Sequence, residues 1–268
     1  MSLQDKKLFL FDIDGTIAIG DTLYEGTKEL LSYISSIGGS SCFITNNSTK
    51  SGADYVDKFQ TCFGLTATEN QFITSGCMTI QFLTKNFKNK KIYCLGTKSF
   101  IKELQKNGLC VTEELEPDIS CILAGFDNEL TYRKLEIACE LLSTRDLPFY
   151  ATNPDLRCPV PFGFVPDCGA ICEMLTSSTG KKPVFLGKPN ASVVEKCLMD
   201  TGFSKEETLV IGDRLYTDIA CGIHAGVDTC VLLTGEAKKE DLADTAFPPN
   251  YCFDTVADLL RALRTGCR

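Results

Sequence analysis

Short apolar runs alternate with stretches of helical periodicity along the whole chain. Leu8-Phe9-Leu10-Phe11 is continuously apolar and predicts a strand buried on both faces. Leu30, Leu31, Ile34 and Ile37 then share one helical face, which Gly38-Gly39 stops. Ser41 to Thr45 predicts a second strand, and a helix follows through Val56, Phe59 and Phe63. Late in the chain, Val184-Phe185-Leu186, Leu209-Val210-Ile211 and Cys230-Val231-Leu232-Leu233 predict three more strands. A last helix carries Val256, Leu259, Leu260 and Leu263. This alternation predicts a parallel sheet with helices on both sides.

The middle of the chain repeats the pattern on a smaller scale. Strands are expected at Ile92 to Leu95, Ile119 to Leu123 and Phe149 to Ala151. Helices are expected around Phe100 to Leu104, Leu135 to Leu142 and Gly169 to Thr179. The expected organisation is a core of residues 1–77 plus 184–268, interrupted by an inserted α/β domain at 78–183.

Composition narrows the classes. At 268 residues the chain has room for two domains. Net charge is −8, and no basic run exists to bind nucleic acid. No apolar stretch is long enough to cross a bilayer, and no signal-type segment precedes the first strand. A soluble, cytoplasmic protein is expected, with no nucleic-acid or membrane partner; a homo-oligomer stays open. The 15 cysteines include no Cys-x-x-Cys pair and lie mostly in apolar segments, where they read as reduced core thiols. The one histidine, His224, reads as structural and leaves no room for a histidine-rich zinc site.

The candidate chemistry sits at the predicted strand ends. Asp12 and Asp14 follow the first strand, and Gly15 lets the chain turn after them. In open α/β sheets ligands bind at the carboxyl edge. Two like charges about 4 Å apart repel by about 4 kcal/mol at an effective dielectric of 20. The pair therefore argues for a bound metal ion or for one acid holding a proton. Two solvated turn aspartates are the plain alternative. Thr45-Asn46-Asn47-Ser48 offers hydroxyls, amides and backbone N–H groups as an oxyanion cradle. Lys188, after Leu186-Gly187 at an expected helix start, offers a positive charge to a phosphate or to a crowded aspartate. Asp213 and Asp218 add carboxylates after Ile211. Together these four strand ends would suit one phosphate and one hard cation.

The ordered set Asp12-x-Asp14-Gly15-Thr16, Thr45, Lys188 and Gly212-Asp213 with Asp218 resembles the haloacid dehalogenase superfamily. The likeness covers nearly the whole chain. Residues 44–48, 151–155, 187–189 and 212–219 resemble its NagD-like, 4-nitrophenylphosphatase branch, and the insert looks like a type II cap. Members often carry Pro-Gly-x-Gly where this chain has Pro166-Asp167-Cys168-Gly169, which leaves the substrate unnamed.

The resemblance implies a Rossmann-like doubly wound core with a smaller α/β cap, and a phosphatase working through an aspartyl-phosphate. Asp12 would be the nucleophile, a role carboxylates can fill. Asp14 would be the general acid and then the base. Mg²⁺ would be held by Asp12, Asp213 and the backbone carbonyl of Asp14, with Asp218 supporting it through water or from just outside its ligands. Thr45, Asn46 and Lys188 would bind the phosphoryl oxygens. Asn153 and Asp155, on the cap, are candidates for the substrate pocket, with an Asn-Pro-Asp turn as their alternative. A second acid would be idle in dehalogenation, which has no alkoxide to protonate, so the pair favours phosphoester cleavage. The expected partner is a small phosphorylated metabolite, such as a sugar phosphate or a nucleoside monophosphate. Two other readings stand beside it: a phosphotransferase or mutase on the same scaffold, and a catalytically silent phosphate-binding protein.

Overall fold

The computed structural model describes residues 2–160 and 162–266. The chain divides into two compact units, one of Met1–Thr45, Gly52–Ile73 and Lys188–Arg268, the other of Asn46–Ser51 and Thr74–Gly187. The 78–183 insert expected from sequence lies inside the second.

The first unit is built on a six-stranded sheet. Its order is Tyr251–Phe253, Asp228–Leu232, Thr208–Gly212, Leu8–Phe11, Ser40–Thr45 and Phe72–Thr74. Leu8–Phe11 runs parallel to both of its neighbours. All four of its residues are fully buried, as a continuously apolar run requires. Phe9 and Phe11 join a cluster with Leu30 and Ile34 of the Thr27–Ser36 helix and with Leu259 and Leu263 of the Val256–Thr265 helix. By alternation Leu8 and Leu10 face the other side of the sheet. Phe43 seats the aromatic part of the core, with ring centroids 4.6 Å from Phe59 and 5.2 Å from Phe72.

Register decides what the sheet presents at its carboxyl edge. Phe11 pairs with Ile211 on one side and with Phe43 on the other. One step further on, Asp12, Gly212 and Ile44 therefore stand at one level. The Asp12 N–H still donates to the Ile211 carbonyl at 2.8 Å, which fixes the residue as the strand ends.

The second unit holds a five-stranded sheet in the order Val184–Phe185, Phe149–Ala151, Ile119–Ala124, Lys91–Leu95 and Cys110–Thr112, with every pairing parallel. Helices Lys98–Lys106, Tyr132–Thr144 and Cys168–Thr179 start on side-chain caps from Thr97, Thr131 and Asp167. The antiparallel pair Arg157–Val160 and Gly163–Pro166 forms a hairpin. Two expectations are corrected. Val184–Phe185 is not a strand of the core sheet, because it pairs with Tyr150 and Ala151 of the second one. Lys188 stands four residues ahead of the Ser192–Thr201 helix rather than at its start, because Pro189, Asn190 and Ala191 come between.

Candidate active site

The carboxyl edge of the six-stranded sheet gathers Asp12, Asp213, Asp218 and Lys188, each at most 5% exposed. Lys188 Nζ donates to Asp12 Oδ1 and to Asp218 Oδ1, both at 2.6 Å, and to the Ile44 carbonyl at 3.0 Å. Its three donors thus reach Asp12 just past one strand, Ile44 in the Ser40–Thr45 strand and Asp218 in the Leu215–Ile219 turn. Asp12, Asp213 and Asp218 each offer an oxygen within 4.8 Å of the others. Thr16, buried, lies between two of them, its hydroxyl 3.3 Å from Asp12 Oδ2 and 3.3 Å from Asp213 Oδ1.

Backbone donors hold the acids from behind. The Glu236 N–H reaches Asp213 Oδ2 at 2.7 Å, and the Arg214 N–H reaches Asp218 Oδ2 at 3.0 Å. Arg214 itself turns to Glu236, with Nε 3.0 Å from Oε2. Glycine makes room for this crowding at two places. A Cβ on Gly235 would stand 2.0 Å from Asp213 Oδ2, and one on Gly15, which has φ of +99°, would stand 2.6 Å from the same atom.

Asp12 and Asp218 share the Lys188 ammonium, with Asp213 close beside them, and the proton affinities of Asp12 and Asp213 reflect the crowding. Burial pushes Asp12 well above the ordinary carboxylate range; the Lys188 charge opposes this, while Asp218 and Asp213 add to it. Burial, and then the Asp218 carboxylate, push Asp213 up to about 6. Burial works against the Lys188 charge, but Asp12 and Asp218 outweigh it and hold the ammonium charged. With every group ionised, three negative charges face one positive. The two left over match a divalent cation, and the all-oxygen donor set suits a hard one.

The other expected site residues are placed as follows. Thr45 is buried at the last position of the Ser40–Thr45 strand. Asp14 is not part of the carboxylate trio. It is partly exposed, its backbone bridges Ala18, and its Oδ1 lies 4.0 Å from Lys58 Nζ. Asp218, expected outside the ligand set, has its carboxylate within the trio. Asn46, Asn153 and Asp155 belong to the second unit. There the Asn46 amide donates to Asp155 Oδ1 at 3.4 Å, and the Asn153 amide donates to Asp167 Oδ1 at 3.1 Å. The Thr152 hydroxyl donates to Asn153 Oδ1 at 2.6 Å, so both ends of the Asn153 side chain are engaged inside that unit. His224 is exposed and its Nδ1 lies 2.9 Å from the Pro189 carbonyl, a structural contact. The 14 described cysteines are in the reduced thiol form.

Thr16, Gly235, Glu236 and Lys58 carry no role in the sequence pattern. Thr16 was within reach, two residues past Asp14. Gly235 and Glu236 follow a strand whose end carries no acid, and nothing local marked them.

A haloacid dehalogenase-like hydrolase model matches residues 9–110, and a second, HAD-hydrolase-like model matches residues 185–259. The chain belongs to the haloacid dehalogenase-like hydrolases. It is 32% identical to the 5'-nucleotidase YutF of Bacillus subtilis over 96% of this chain and 98% of that one. It is 32% identical to an acid sugar phosphatase of Staphylococcus aureus over 97% and 99% of the two chains. The crystal structure of a 4-nitrophenylphosphatase from Thermotoga maritima matches with a TM-score of 0.88 and 37% identity, over 97% of this chain and 98% of that one. Within its family the chain therefore falls in the NagD-like, 4-nitrophenylphosphatase branch.

Proposed function

We propose that the protein is a Mg²⁺-dependent phosphatase that hydrolyses small phosphomonoesters through an aspartyl-phosphate on Asp12. The observation that carries this reading is the gathering of Asp12, Asp213 and Asp218 at one spot, with the Lys188 ammonium bonded to Asp12 and Asp218. Asp12, Asp213 and the Asp14 carbonyl would hold Mg²⁺, with Asp218 beside them. When bound, the ion would neutralise the acids and draw charge from the phosphoryl oxygens.

The protein's own groups supply the rest. An Asp12 oxygen attacks phosphorus, and the bond to the leaving oxygen breaks. Asp14 gives its proton to that oxygen, so the organic group departs as an alcohol. Asp14, now ionised, takes a proton from water, whose oxygen cleaves the acyl phosphate and releases inorganic phosphate and free Asp12. Lys188, the Thr45 hydroxyl and the Asn46 N–H hold the phosphoryl oxygens as charge shifts among them. Sugar phosphates and nucleoside monophosphates are the proposed substrates, supported by the names of the two relatives.

The test is release of inorganic phosphate from 4-nitrophenyl phosphate with and without Mg²⁺. Release that needs the ion supports the reading. No release under any divalent metal favours a silent phosphate binder, and transfer to an added sugar in preference to water favours a phosphotransferase.

A further inference from the structure

We propose that Lys58 is a positioning residue for Asp14, holding the carboxyl that serves the leaving group. This rests on the proposed acid role of Asp14. Lys58 ends the Gly52–Lys58 helix, and the chain runs directly into a π-helical turn, Phe59–Phe63. Phe59 and Phe63 are buried in the aromatic core, 5.2 Å apart, so the end of the helix is fixed from below. The Lys58 side chain is only 10% exposed, which is low for a lysine, and its Nζ lies 5.5 Å from the centre of the Phe63 ring.

From that anchored place the ammonium faces two acids. Asp14 Oδ1 is 4.0 Å away and Asp21 Oδ1 is 3.9 Å away. The two acids bracket one small hairpin, Ala18–Ile19 with Thr22–Leu23. Asp14 stands at its root through the bridge to Ala18, and Asp21 lies in its turn. Lys58 thus ties the hairpin to the helix at both ends. Among the described residues Lys58 is the one salt-bridge partner of the Asp14 carboxylate, and no hydrogen bond fixes that carboxylate. The trio at the sheet edge, by contrast, is held by Lys188, Thr16 and two backbone N–H groups. In its ionised form, before it takes up the proton it will deliver, the Asp14 carboxyl is therefore oriented among the described residues by the Lys58 ammonium alone.

The chemistry supplies a selective readout. Nitrophenolate is a good leaving group and departs without a proton, whereas an alkoxide needs one. Because kcat/KM covers only the steps through formation of the aspartyl-phosphate, the ratio of kcat/KM for a sugar phosphate to that for 4-nitrophenyl phosphate isolates the help given by Asp14. The ratio also cancels any loss of folded enzyme. In Lys58→Met the ratio is expected to fall about tenfold, a modest part of the 10² to 10⁴ that general acid–base catalysis supplies. Lys58→Arg should restore most of it, and Lys58→Met should leave the ratio unmoved in an Asp14→Asn background. Equal losses on both esters, or a full drop in the Asp14→Asn background, would overturn the positioning role. If wild-type protein cleaves neither ester, the phosphatase reading fails instead.

Discussion

At the scale of single residues, Lys188 carries the largest electrostatic burden. It answers two of three buried carboxylates with one charge, and removing it leaves buried acids without that counter-ion. Breaking a buried pair from one side costs about 3–5 kcal/mol. Lys188→Met is therefore expected to lower the chemical-denaturation midpoint by a corresponding amount, besides losing phosphate release. Asp12→Asn should abolish turnover while the fold stays intact by circular dichroism. Asp14→Asn should slow turnover by about 10² or more and leave metal affinity by calorimetry nearly unchanged. Asp213 gives a pH signature. Its carboxyl is raised from an ordinary 3.8 to about 6, so in metal-free protein it remains protonated where the unfolded chain has already lost its proton. Its contribution to stability is full below about pH 3.8 and is lost as pH rises through about 6. Urea midpoints measured across that window should fall with rising pH, and Asp213→Asn should flatten the fall.

At the scale of elements, the site is a product of strand register and of loops that leave no space. Gly235→Ala would drive a methyl into Asp213, so activity and metal affinity should both drop while the sheet still forms; far-ultraviolet dichroism alongside a metal titration would separate the two effects. The strand ends at Asp12 and Asp213 were legible because each follows a short but uninterrupted apolar run, and a strand buried on both faces fits the centre of a parallel sheet. Val184–Phe185 was not assignable, because a two-residue strand reads alike in either sheet and only pairing with Phe149–Ala151 decides. Phe72–Thr74 and Tyr251–Phe253 are three residues each, too short for alternation to register. Lys58 was hidden for another reason: a lysine closing a helix looks like a solvated residue until the hairpin beside it is seen. The extra role of Asp218 was invisible because its contact with Lys188 joins positions 30 residues apart in sequence.

At the scale of the whole molecule, the chain is acidic, with a net charge of −8, and no helix among the described residues is long and apolar enough to cross a membrane. Removing divalent metal should abolish phosphate release and lower thermal stability together. At a concentration 100 times its dissociation constant, a ligand that binds only the folded state adds about 2.7 kcal/mol, which scanning calorimetry with and without Mg²⁺ can read. The surplus of two negative charges that the sheet edge carries when every group is ionised has a kinetic corollary. On the proposed reading a dianionic ester approaching that edge would meet repulsion until a divalent ion is seated, which predicts a compulsory sequence, cation before ester. Inorganic phosphate should then fail to compete in chelator-treated protein and compete well once magnesium is restored, and an initial-rate study varying both should give the pattern of ordered addition.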